Sequence, residues 1–169
     1  TISVNLASDA EAVYETEDID FLKKLFTGKA LMVGHDIKHS MHIFHKYHIE
    51  VECPFFDITV AASLVESSRA SRELEGLLWD FLSLRELSRL DYLGKESHFL
   101  FMLKEKIGEA LKEKKLEELF FGVEMPLLSV LFGMEMTGMT IDAVFLKKLS
   151  VELDKKLEKL TDKIYELAC

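Results

Sequence analysis

The sequence predicts an α/β body followed by a mainly helical segment. Three observations lead there. Short extended runs alternate with amphipathic helices as far as Val65, and after Leu74 no strand pattern returns while apolar residues recur at helical spacing. The composition, 49% hydrophobic and 30% charged with 8 Gly and 2 Pro, is that of a folded, helix-rich chain and excludes a disordered one. At 169 residues there is room for one domain and a short appendage.

Each element has its own signal. Ile2, Val4 and Leu6 alternate with polar neighbours, Ser8-Asp9-Ala10 can turn, and Ala12-Val13-Tyr14 is a second extended run, so the chain opens as a hairpin. An amphipathic helix follows with Ile19, Leu22, Leu25 and Phe26 on one face and Gly28 as its stop. Ala30-Leu31-Met32-Val33, closed by Gly34, is a continuous apolar run that suits a strand buried on both faces. Asp36 caps a helix with Ile37, Met41 and Phe44 on one side. Residues 51–56 return as an extended segment broken by Pro54, and Asp57 or Thr59 opens a helix through Val60, Ala61, Leu64 and Val65. Residues 67–71 form a polar loop.

The second half is nearly all helix. Periodicity runs through Leu77, Leu78, Phe81 and Leu84, then Leu87, Leu90 and Leu93, and residues 104–118 alternate acids and bases as a solvated face does. Glu124-Met125-Pro126 reads as a helix entry, because Pro is tolerated in a first turn, and Gly138 ends that helix. Met139-Thr140-Ile141 is a short extended link. Asp142 then caps a last helix carrying Leu146, Leu149, Leu153, Leu157, Leu160 and Ile164, whose leucines suit a coiled-coil seam or a face packed on something further.

Composition also limits function. The apolar runs at 99–103 and 125–136 are broken by charges or Gly short of the roughly 20 residues of a membrane span, so no membrane partner is expected. The N-terminus lacks the basic and apolar segments of a secretory signal, and a cytoplasmic setting is the expectation. Cys53 and Cys169 lie far apart with no neighbouring Cys, which excludes a disulfide framework. A formal charge of −9 argues that the isolated chain binds DNA weakly or not at all.

Two stretches resemble family A, polymerase I type, DNA polymerases. Leu31-Met32-Val33-Gly34-His35-Asp36-Ile37-Lys38-His39-Ser40, followed by Ile49-Glu50-Val51 and Phe56-Asp57-Ile58-Thr59-Val60-Ala61-Ala62-Ser63-Leu64, is similar to the second exonuclease motif of that family. Val123-Glu124-Met125-Pro126-Leu127-Leu128-Ser129-Val130-Leu131, with Met134-Glu135, Gly138 and Ile141-Asp142 at unchanged spacing, resembles the passage from the exonuclease domain into the polymerase domain. The resemblance implies a ribonuclease H-like exonuclease fold, partial because its first strand is missing, followed by a mainly helical C-terminal segment. It implies a division into a degenerate 3′–5′ exonuclease-like domain at 1–118 and the first polymerase helices at 119–169.

What it implies about chemistry rests on four carboxylates that hold two divalent metals about 4 Å apart. The first acidic pair of the family lies on a strand upstream of the opening hairpin, so on this alignment it is absent. The third acid falls on Ser40, which supplies no charge to a hard cation. Tyr92 falls on the family's water-orienting tyrosine and Glu96 on its fourth acid. A competing alignment takes Glu15 and Glu17 as the acidic pair, but it leaves too few elements before Ser40. No catalytic or metal-binding residue is therefore assigned, and this stretch is expected to need no cofactor, whereas the parent polymerase would use Mg2+.

The remaining constellations have plainer readings. His35, His39, His42, His45 and His48 drift around a helix, and no acid or Cys at ligand spacing completes a metal site, so a partly exposed surface helix is favoured. Asp36 and Asp57 each precede a helix and read as N-caps. Trp79 with Phe81, and Phe99 with Phe101, read as core aromatics rather than base-stacking platforms. The favoured function is a structural module that braces the polymerase domain in a replication or repair enzyme, its partner being the remainder of that chain and its DNA reached only through it. A surviving metal-dependent 3′–5′ exonuclease and a free-standing protein-interaction module are the alternatives.

Overall fold

The computed structural model describes residues 2–5, 13–16, 18–66, 73–84 and 96–168. The chain packs as two units, Thr1–Glu135 and Met136–Cys169. The resemblance places a division after residue 118, whereas the packing boundary lies later, because Phe120, Met125 and Leu128 are buried in the core of the first unit.

In that unit β1 (Ile2–Asn5) pairs antiparallel with β2 (Val13–Thr16), Ile2 opposite Thr16 and Asn5 opposite Val13, as the alternation requires. Leu6 and the turn at Ser8-Asp9-Ala10 lie outside the described residues. The first helix, α1 (Ile19–Phe26), is capped by the Asp18 carboxylate, which accepts from the backbone N–H of Asp20 and Phe21. Its Leu22 and Phe26 meet Phe44, Ile49 and Cys53 in a small apolar cluster.

Strand β3 (Met32–Gly34) runs parallel to β4 (Phe55–Asp57) with Met32 opposite Phe55 and Gly34 opposite Asp57. The expectation of a strand buried on both faces is corrected: β3 is only half-buried, because β4 is its one partner among the described residues. Helix α2 (Ile37–Lys46) follows β3 and turns Ile37, Met41 and Phe44 inward, as predicted. Helix α3 (Ile58–Val65) follows β4 directly. Short strand pairs and crossing helices give an α/β body that is mostly helical, with a small parallel sheet.

The main core lies between α3, α4 (Leu74–Leu82) and α5 (Glu96–Glu113). Leu77, Leu103 and Ile107 are fully buried there, and Phe56 stacks against Phe120 at 4.7 Å between ring centroids. Lys114 Nζ donates to the Val65 carbonyl and closes the end of α3. Phe99 and Phe81 pack against this core, but Trp79 is 43% exposed, so the core reading fails for that ring. The leucines at 87, 90 and 93 and the loop at 67–71 lie outside the described residues.

A continuous helical run, α6 (Glu117–Thr137), corrects two expectations. It does not begin at Glu124: the helix passes through Pro126 because a π-helical turn at Phe120–Glu124 precedes it, with the Met125 N–H bonded to the Phe120 carbonyl. The wider turn gives room to a ring that otherwise clashes with the carbonyl four residues back. Nor does Gly break the run, since Gly122 and Gly133 stay helical; the charges of Glu124 and Glu135 do interrupt it, although by length and composition alone α6 passes for a membrane span. Phe120, Met125 and Leu128 nonetheless serve the unit's apolar core, a use that needs no bilayer.

The second unit is dominated by α7 (Ala143–Ala168), a helix of 26 residues. Gly138 ends the preceding helix with φ +67, and the Asp142 carboxylate accepts from the Phe145 N–H at 2.9 Å, both as the sequence predicts.

Candidate functional site

The segments that resemble the exonuclease motif meet where β3 and β4 end side by side. Asp57 closes β4, is 1% exposed, and spends its carboxylate on three backbone donors. Its Oδ1 accepts from Thr59 at 2.8 Å and Val60 at 3.1 Å, which caps α3, and its Oδ2 accepts from Ile37 at 2.6 Å, which holds the start of α2. The Thr59 hydroxyl accepts in turn from the Asp36 N–H at 3.3 Å. One carboxylate therefore fixes two helix starts. Burial pushes the Asp57 pKa up, opposed by the three N–H groups and helped slightly by the Asp36 charge.

Gly34 is required at this joint because a Cβ there would stand 2.7 Å from the Ile37 side chain. Asp36 caps α2 from the left-handed region, φ 52, and accepts from the His39 N–H at 3.3 Å. Both aspartates are thus caps, as the sequence suggests, and Asp57 rather than Thr59 opens α3.

Ser40 stands one turn into α2 and is half-buried. Its hydroxyl points back to the Asp36 carbonyl at 3.5 Å. Glu96 is the first residue of α5, a helix that packs against β1, β3, α3 and α4, and Glu15 sits opposite Ser3 in the hairpin. Tyr92 and Glu17 lie outside the described residues. Two hard divalent cations need converging oxygen donors. Among the described residues no group of three or more His, Cys, Asp and Glu is arranged to hold a metal ion.

Two of the clustered histidines have another use. His42 Nε2 lies 2.6 Å from Glu135 Oε2, while Lys38 Nζ donates to Oε1 of the same carboxylate. His42 and His45 also meet the Phe132 ring edge-on, at 5.0 and 6.0 Å between centroids. This joint ties α2 to α6 and was not read from the sequence, although Lys38 and His42 at i,i+4 spacing were visible there. Hydrogen bonds from Lys38 and then His42 lower the Glu135 pKa.

A family model described as 3′–5′ exonuclease, that of the family A DNA polymerases, matches residues 6–158. The chain belongs to this family. Among its relatives, the DNA polymerase I of Lactococcus lactis is 26% identical over 179 residues, covering 95% of this chain and 20% of its own length. That of Caldicellulosiruptor bescii is 26% identical over 170 residues, covering 95% of this chain and 19% of its own. The Bacillus subtilis enzyme reaches 37% over 78 residues, 46% of this chain and 9% of its own. The chain spans about a fifth of the length of the curated relatives it matches. Membership in the polymerase exonuclease family agrees with both resembling stretches, since the match runs through the β3–α2 motif and on into α7.

Proposed function

We propose that this chain is the exonuclease-like module of a polymerase I type DNA polymerase and that it braces the enzyme without proofreading. The observation that carries the reading is Ser40. It occupies the position of the family's third metal-holding acid and turns its hydroxyl onto its own helix. A neutral hydroxyl cannot replace a charged oxygen ligand, so a two-metal centre with Ser40 at this position would lack one of its anionic ligands. The fold would be ribonuclease H-like, with the family's acid-bearing first strand outside the two described strand pairs. That strand's place is suggested by the two separate strand pairs, β1–β2 and β3–β4, which both pack on α5.

The whole enzyme would synthesise DNA in replication or repair in the cytoplasm, with Mg2+ at its polymerase centre and the DNA held by its other parts. At a net charge of −9 the module itself would add little to DNA binding. The test is release of nucleotides from a 3′-labelled oligonucleotide by the purified chain in Mg2+ or Mn2+. No release is expected from the chain, and metal-dependent release by it overturns the reading; release by the Ser40→Asp variant alone would identify Ser40 as the cause of the inactivity.

A further inference from the structure

We infer that the π-helical turn in α6 is a phase-setting device. It holds one residue more than an α-helix would, and that residue lets buried Phe120 and the Glu135 joint with α2 lie on one side of a continuous helix. Two stripes carry the inference. Before the turn, Leu116 and Phe120, four apart, face the core, and Phe120 is fully buried against Phe56. After it, Met125, Leu128, Phe132 and Glu135 follow at helical spacings of three and four. Met125 and Leu128 are buried, while Phe132 and Glu135 meet α2.

These stripes do not match in a regular helix. At about 100° per residue, the steps from Phe120 to Met125 would leave the two side chains roughly 140° apart. Phe121, four before Met125, would then face the core and Phe120 would turn away from it. The structure shows the reverse: Phe120 is 0% exposed and Phe121 49%. The turn at Phe120–Glu124, closed by the Met125 N–H on the Phe120 carbonyl, absorbs the odd residue. Gly122, within it, is exposed, and a Cβ there would meet nothing within 4 Å, so no packed side chain depends on it. Pro126 benefits from the wider turn, but the mismatch between the stripes would persist with any residue at 126.

A deletion ordinarily turns the rest of a helix by about 100°. Deleting Gly122 should instead leave Phe120 and Met125 four apart in a regular α-helix, with both faces kept. The test uses Pro126→Ala in the 169-residue chain as the parent, because a regular helix would set the proline ring against the carbonyl four residues back. On that parent either Gly122 is deleted or Ser129, which lies in the regular part of α6. Nuclear Overhauser contacts are read between the Phe132 ring and those of His42 and His45, and between Phe120 and Phe56. The parent and the Gly122 deletion are expected to keep both sets, and the Ser129 deletion to lose those of Phe132. Loss of the Phe132 contacts, or of folding by circular dichroism, in Pro126→Ala alone makes the proline the cause and overturns the inference. The same loss in the Gly122 deletion overturns it, and so does a Ser129 deletion that keeps the Phe132 contacts.

Discussion

Asp57 shows how much one side chain can decide. Removing it in Asp57→Ala leaves three backbone donors short of an acceptor at a buried joint and uncaps α3, so unfolding by urea should report a loss of about 2–4 kcal/mol. Titration should separate Asp57 from Glu135. Burial raises the Asp57 pKa, so the folded state takes up that proton before the unfolded chain does, and its contribution to stability falls as pH rises through the folded value. Glu135 has the opposite sign. Its pKa is lowered by Lys38 and His42, so its contribution is present above the unfolded value and is lost as pH falls through the folded one. Carboxyl carbon NMR shifts should therefore place the Asp57 midpoint above and the Glu135 midpoint below those of ordinary carboxyls, and Glu135→Gln should make the acid limb of the stability profile shallower. Lys115 sits after α5 with φ 56, a conformation that suits Gly; Lys115→Gly should raise stability by up to about 1 kcal/mol, net of the extra chain entropy.

Among the elements, α6 departs most from its local sequence signals. Pro126 reads as a start signal, yet the helix reaches it through a π-helical turn that keeps Phe120 in the core with Phe56. Restoring a backbone donor with Pro126→Ala should stabilise the run by about 1 kcal/mol, measured by chemical denaturation. At the other end of the same link, Asp142→Ala should cost α7 about 1 kcal/mol of capping, seen as loss of helix signal on warming. Caps of this kind were legible in advance because an N-cap depends on a few neighbouring residues. The π-helical turn was not, because the packing of Phe120 against residues distant in sequence holds it in place.

At the scale of the whole molecule, the order of strands and helices, the hairpin, the caps at Asp36 and Asp142, the stop at Gly138 and the family itself follow from the sequence, since periodicity, turn chemistry and motif spacing are local properties. Tertiary structure alone decided the rest. It put Asp57 under two helices at once, brought Glu135 onto Lys38 and His42, left β3 half-covered, exposed Trp79, and moved the packing boundary past Leu128. Each of these depends on pairs of residues far apart along the chain, whose meeting is set by how helices and strands share a core, and no local pattern records which pairs will meet.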